Sequence, residues 1–165
     1  MKSNFVRKTY LLVALLLNYL QSPVLLLVRI YFFWQLMIAG FGKLTNLGKV
    51  SEYFASLGLP MPALNALFIG SLECFGSVLL MIGLASRPFA LLITIAMIVA
   101  YLVTPDIEAV KLLFALPPHP HHFFKAAPFP FLLAAVIVLI FGPGKISLDA
   151  FAKRLFQGSA PDAAK

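Results

Sequence analysis

Residues 63–84 read ALNALFIGSLECFGSVLLMIGL, a run of apolar and small side chains interrupted by a single acid, Glu73. A hydrocarbon core of about 30 Å is crossed by roughly 20 apolar residues in a helix, so this stretch is long enough to span a membrane. It places an ionisable group near mid-depth, where insertion costs about 2.5–3.5 kcal/mol. The run LLITIAMIVAYLV at 91–103 has the same character and lacks the alternation of a β-barrel strand. Across the 165 residues, 61% are hydrophobic, 12% are charged and the mean hydropathy is +0.95. Soluble domains hold roughly 45–50% apolar and about 25% charged residues, so lipid is the solvent this composition demands.

Four spans are expected: 23 to about 42, 63 to 84, 88 to 104, and 127 to 141, the last of them short. The apolar stretch from Tyr10 to Leu44 is too long for one span. Pro23 is expected to end a hydrophobic lead-in helix and to open the first span. That lead-in, 1–22, resembles a signal segment without a small-residue cleavage site and is expected to be retained. The membrane domain then covers 23–145, and 146–165 form an amphipathic helix and tail. Two connectors look like short interfacial helices. In KVSEYFASLG, Val50, Phe54 and Leu57 share one face; after the fourth span, Ser147 is a helix cap with Asp149 in the first turn. The segment TPDIEAVKLLFALPP reads as a further helix. The fold class is therefore all-α: a four-transmembrane-helix bundle with short interfacial amphipathic helices.

Charge sets the orientation. The N-terminus, the Arg87 turn and the C-terminus hold Lys2, Arg7, Lys8, Arg87, Lys145, Lys153, Arg154 and Lys165, whereas the opposite side holds Lys43, Lys49, Lys111 and Lys125. Both termini are expected on the cytoplasmic side. The net charge of +7 is assigned to anionic lipid and not to nucleic acid. The lone Cys74 excludes an intrachain disulfide, a CxxC pair and a cysteine-built iron–sulfur or zinc site. No hydrolase, metalloprotease, P-loop or dinucleotide motif is present, and no span carries the histidine a haem would want.

Glu73 must have a partner or be neutral. Ala66, Gly70, Glu73 and Ser77 form a stripe of small and polar residues on the second span, while Arg29, Phe33, Leu36, Gly40 and Lys43 share a face of the first. The expected arrangement is an Arg29–Glu73 pair across these antiparallel spans, with Gln35, Tyr101 and Cys74 as neighbours; Lys43 at the outer end reads either as snorkelling or as a further candidate for the ion-pair or quinone and proton site. Such a pair serves either helix register or a quinone, anion or proton site, and a lipid-facing acid without a role is the third reading; all three stay open. PPHPHH brings together His119, His121 and His122, which read either as an interfacial loop or as copper or zinc ligands.

RIYFFWQLMIAGFGKL, SLGLPMP, SLECFGSVLLMIGLASRPFAL and the closing FGPGKISLD together resemble the DoxX/DoxD family of four-helix membrane proteins, over about residues 25–150. The matching positions are Arg29, Gly40, Lys43, Glu73, Gly142, Gly144 and Asp149. The resemblance implies a small subunit or anchor of a redox complex that passes electrons from a partner protein to quinone, as in thiosulfate:quinone oxidoreductase. The chain has no intrinsic electron-storing group, so a partner would supply it. Two alternatives stay open: a non-catalytic module recruiting or exporting a partner or metal such as copper at the periplasmic face, and a small oligomeric transporter. The expected setting is a bacterial inner membrane, in contact with lipid, as a monomer or a homo-oligomer.

Overall fold

Apolar runs without water to bond their amides must close those bonds internally, and every regular element among the described residues is helical. The computed structural model describes residues 2–104, 107–113 and 120–158. Helix α1 (Lys2–Thr45) is followed by α2 (Leu47–Ser56). Then α3 (Pro62–Ser71), a π-turn (Leu72–Gly76) and α4 (Ser77–Ile82) form one rod. Next come α5 (Ser86–Val103), the short α6 (Ile107–Leu113) and α7 (Pro120–Lys125), α8 (Phe129–Phe141) and α9 (Leu148–Gly158).

Among the described residues, three helical rods are long and apolar enough to cross a membrane: Tyr10–Thr45, Pro62–Ile82 and Ser86–Val103. The fourth, α8, is 13 residues, about 20 Å at 1.5 Å per residue, which matches the short last span expected. These four make the bundle. Helix α1 packs along α3, the π-turn and α4, while α5 packs chiefly on α8. Phe33, Leu36, Leu72, Leu80, Ile93, Met97 and Val138 form the core with Ala90, Ala134 and Ala135, whose small size lets α5 and α8 approach closely. Leu27, Trp34, Ile38, Phe75, Ile95 and Ile140 are exposed on the outer faces, where lipid is their solvent.

One expectation fails. Pro23 does not break the chain; it lies inside the continuous α1. Proline removes one backbone donor, but stopping the helix in an apolar run would strand several more donors and acceptors, so continuation is the less costly outcome.

The closest approach in the bundle is at Gly40. A methyl group there would lie 2.8 Å from the carbonyl carbon and the Cβ of Glu73, so only glycine lets α1 rest on the backbone of the π-turn. Single π-turns inside helices gather at functional sites, and this one carries Glu73 and Cys74.

Candidate functional site

The partner of Glu73 is Lys43. The Lys43 Nζ donates to Glu73 Oε1 at 2.5 Å and to Oε2 at 2.6 Å. The carboxylate side chain is 3% exposed and the lysine 31%, so the acid is enclosed while the base reaches outward. Lys43 stands in the last turn of α1, where unpaired carbonyls favour a cation. Its stem passes Gly70, the next small residue of the stripe, where a methyl would lie 3.4 Å from the Lys43 Cβ.

The pair lies against an apolar cavity of about 410 Å³. One wall is α2, which contributes Val50, Tyr53 and Phe54; the other is the end of α5, with Ala96, Ala100 and Val103. The face of α2 expected from its sequence thus turns inward; Lys49, though exposed, also lines the cavity, while Glu52 is exposed. Asn65 also lines the cavity and donates to the Pro60 carbonyl at 2.6 Å, which holds the turn between α2 and α3. Lined mainly by hydrocarbon with a few convergent polar groups, the space has the make-up of a small-molecule pocket.

Arg29 is not the partner of Glu73, contrary to expectation. It is fully buried, and its guanidinium bonds only to carbonyls: Nε to Leu80 at 2.7 Å, Nη2 to Met81 at 2.6 Å, and Nη1 to Pro143 and, at 3.2 Å, to Ile146. The helices are antiparallel with Gly40 level with Glu73, which puts Arg29 eleven residues away along α1, about 16 Å by helical rise. No rotamer spans that offset. Arg29 instead caps the carboxyl end of α4 and ties it to the loop after α8.

Around it, Gly83 ends α4 with φ of +75°. The amide of Leu84 donates to the Leu79 carbonyl at 2.9 Å and that of Gly83 to Leu80 at 3.2 Å, the Schellman pattern. A methyl on Gly83 would lie 2.5 Å from Arg29 Nη2. Asp149 closes the clamp: its two oxygens accept from the amides of Ala85 at 2.8 Å and Ser86 at 2.9 Å, and its own amide donates to Gly83. Burial alone would raise the Asp149 pKa, but the Ser86 and Ala85 amides and the charge of Lys153 outweigh it and hold the carboxyl below its ordinary range. Ser147 Oγ accepts from the Ala150 amide at 3.1 Å, the cap expected for α9.

The other candidates are scattered. Gln35 is exposed and donates to Tyr31 of its own helix, away from Glu73. Tyr101 is buried, but its hydroxyl donates to the Phe123 carbonyl at 2.8 Å and its ring stacks on Phe123. Cys74 is beside Glu73 in the π-turn and half-buried. His119 lies outside the described residues; His121 and His122 belong to α7, and no group of three metal-binding side chains occurs among the described residues. Sequence reasoning named Lys43 and Asp149 as family-matching positions but found neither role: spacing gave Lys43 no bond to Glu73 and gave Asp149 only a place in the first turn of α9.

A sequence model described as DoxX matches residues 24–106, half of the chain. The chain belongs to the DoxX family. The DoxX match contains Arg29, Gly40, Lys43, Gly70 and Glu73 but ends before the loop and the Asp149 that complete the clamp on Arg29. A relative, the inner membrane protein YphA of Escherichia coli, is 39% identical over 71 residues, 42% of this chain and 51% of that protein. The chain therefore spans about half the length of that curated relative. No solved structure matches the chain.

Proposed function

We propose that this DoxX protein is an inner-membrane subunit of a redox complex and that the cavity above Lys43 and Glu73 takes the head group of a quinone. The observation that supports the reading is a buried acid paired with a partly buried base at the edge of a mainly apolar cavity of about 410 Å³, inside the range of ligand pockets, roughly 300–1,000 Å³. The donor set suits such a ligand. The Lys43 ammonium has three protons and gives two to Glu73, leaving one for a carbonyl oxygen, and Glu73 is a proton acceptor beside it. Tyr53 and Phe54 supply flat apolar surface, and Ala96 and Ala100 leave room for a ring.

A quinone supplies two-electron, two-proton acceptor chemistry. The chain's own residues bind and orient the head group and hold a proton at the Glu73 carboxyl. The electron donor belongs to a partner, because one cysteine and spans without histidine leave this chain no residues for an iron–sulfur cluster or a haem between spans. The distribution of basic residues supports termini in the cytoplasm, and on that orientation the cavity opens towards the periplasmic side.

The test is binding of decylubiquinone to the purified full chain by equilibrium dialysis, with donor-dependent quinone reduction in vesicles alongside. Glu73→Gln and Lys43→Met should each weaken binding tenfold or more, and Ala100→Trp should block it while leaving the ion pair intact. Unchanged binding in all three removes the cavity from quinone chemistry.

A further inference from the structure

The opposite end of the bundle holds a second and larger cavity, of about 790 Å³, that the quinone reading does not use. It lies between Gln21 and Ser22 of α1, the start of α5, the end of α8, the loop after α8 and the first turns of α9. Three basic side chains line it, Arg87, Lys145 and Lys153, against one acid, Asp149. That acid is already committed, with an amide on each oxygen and Lys153 beside it. Arg87 and Lys145 are exposed and have no acid partner among the described residues, whereas Lys43 and Lys111 each have one. The cleft therefore keeps uncompensated positive charge. Its remaining wall includes Pro88 and Phe141, so it is amphipathic.

Its depth is fixed by its neighbours. Ser86 begins one membrane-crossing helix and Phe141 ends the bundle's fourth, so the cleft is at the membrane boundary. Beside it, α9 leaves Phe151 and Leu155 exposed, 61% and 57%, while Lys153 and Arg154 are its cations, the composition of a helix lying among head groups.

We propose that this cleft binds the head group of an anionic glycerophospholipid, with Arg87 and Lys145 taking the phosphodiester and Pro88 and Phe141 the glycerol and first methylenes. Basic pockets between membrane helices suit such lipids, each cation near the surface adding roughly a fivefold preference. Because α5, α8 and α9 meet here around the Arg29 clamp, the lipid adds to the packing of α5 on α8 and to the Asp149 hydrogen bonds that already join them.

The experiment is native mass spectrometry of the full chain, delipidated in neutral detergent and titrated with dioleoylphosphatidylglycerol or dioleoylphosphatidylcholine. The first phosphatidylglycerol should bind about twenty-fivefold more tightly, the product of two such cations. Arg87→Ala with Lys145→Ala should bring the two lipids to near parity. Arg87→Lys with Lys145→Arg should retain the preference, and so should the charge-matched control Lys111→Ala with Lys125→Ala. Equal affinity for both lipids in the wild type, a preference that survives the alanine pair, or equal loss in the control overturns the proposal. Displacement of the lipid by soluble sn-glycerol 3-phosphate also overturns it, assigning the cleft to a free phosphate ester.

Discussion

Replacing Lys43 by Met should destabilise the protein far more than replacing Glu73 by Gln, although each removes one half of the same ion pair. The asymmetry follows from exposure. Without Lys43, the Glu73 carboxylate is left 3% exposed beneath α2, and breaking a buried pair this way costs about 3–5 kcal/mol. Without the carboxylate, Lys43 is 31% exposed at the end of α1 and can extend to water, so the loss is only about 1 kcal/mol. The low end, about 3 kcal/mol, applies to Lys43→Met because the adjoining cavity can admit water. The double variant removes both charges from an apolar setting and should fall between the singles, at about 2 kcal/mol, for a coupling of about 2 kcal/mol. Thermal unfolding of the detergent-solubilised chain reads this directly, since about 1 kcal/mol moves the midpoint by about 2–4 °C in a chain of this size. Equal losses in the two single variants, or losses that add in the double, would show that the pair is not held as described.

Arg29→Lys keeps the charge but offers a single ammonium to four carbonyls on two segments, leaving at least one acceptor unbonded; a loss of about 2 kcal/mol or more is expected in the same unfolding assay. Gly40→Ala drives a methyl into the Glu73 backbone and should cost about 1–3 kcal/mol; by moving α1 off the π-turn it should also weaken decylubiquinone binding, as equilibrium dialysis would record. The pKa of Asp149 is depressed in the folded protein, so its contribution is present above its ordinary value of about 3.9 and is lost as pH falls below it. Asp149→Asn should lower the unfolding midpoint at neutral pH, and its curve should meet the wild type's in acid; parallel curves down to about pH 2 would contradict the clamp.

Much of the fold is legible along the chain because lipid imposes one rule on each segment independently. A run such as 63–84 must be a helix wherever its neighbours are, and the amphipathic face of α2 and the Ser147 cap of α9 rest on spacing within a few residues. Local rules also mislead, as at Pro23, where a strong breaker is carried through by the helix on both sides.

The identity of the groups that meet across helices is a different kind of information. Arg29 and Lys43 share a face of α1, and either has the charge to answer Glu73; the choice between them depends on how far one rod slides along the other. Gly40 sets that slide by admitting the Glu73 backbone, which brings Lys43 within reach and leaves Arg29 about 16 Å off, bonded to carbonyls. Composition and periodicity establish that the chain lives in lipid as helices and that its mid-span acid must be paired or neutral. Which cation answers it is an outcome of packing, because complementarity of charge is satisfied by either candidate and only contact between backbones discriminates between registers.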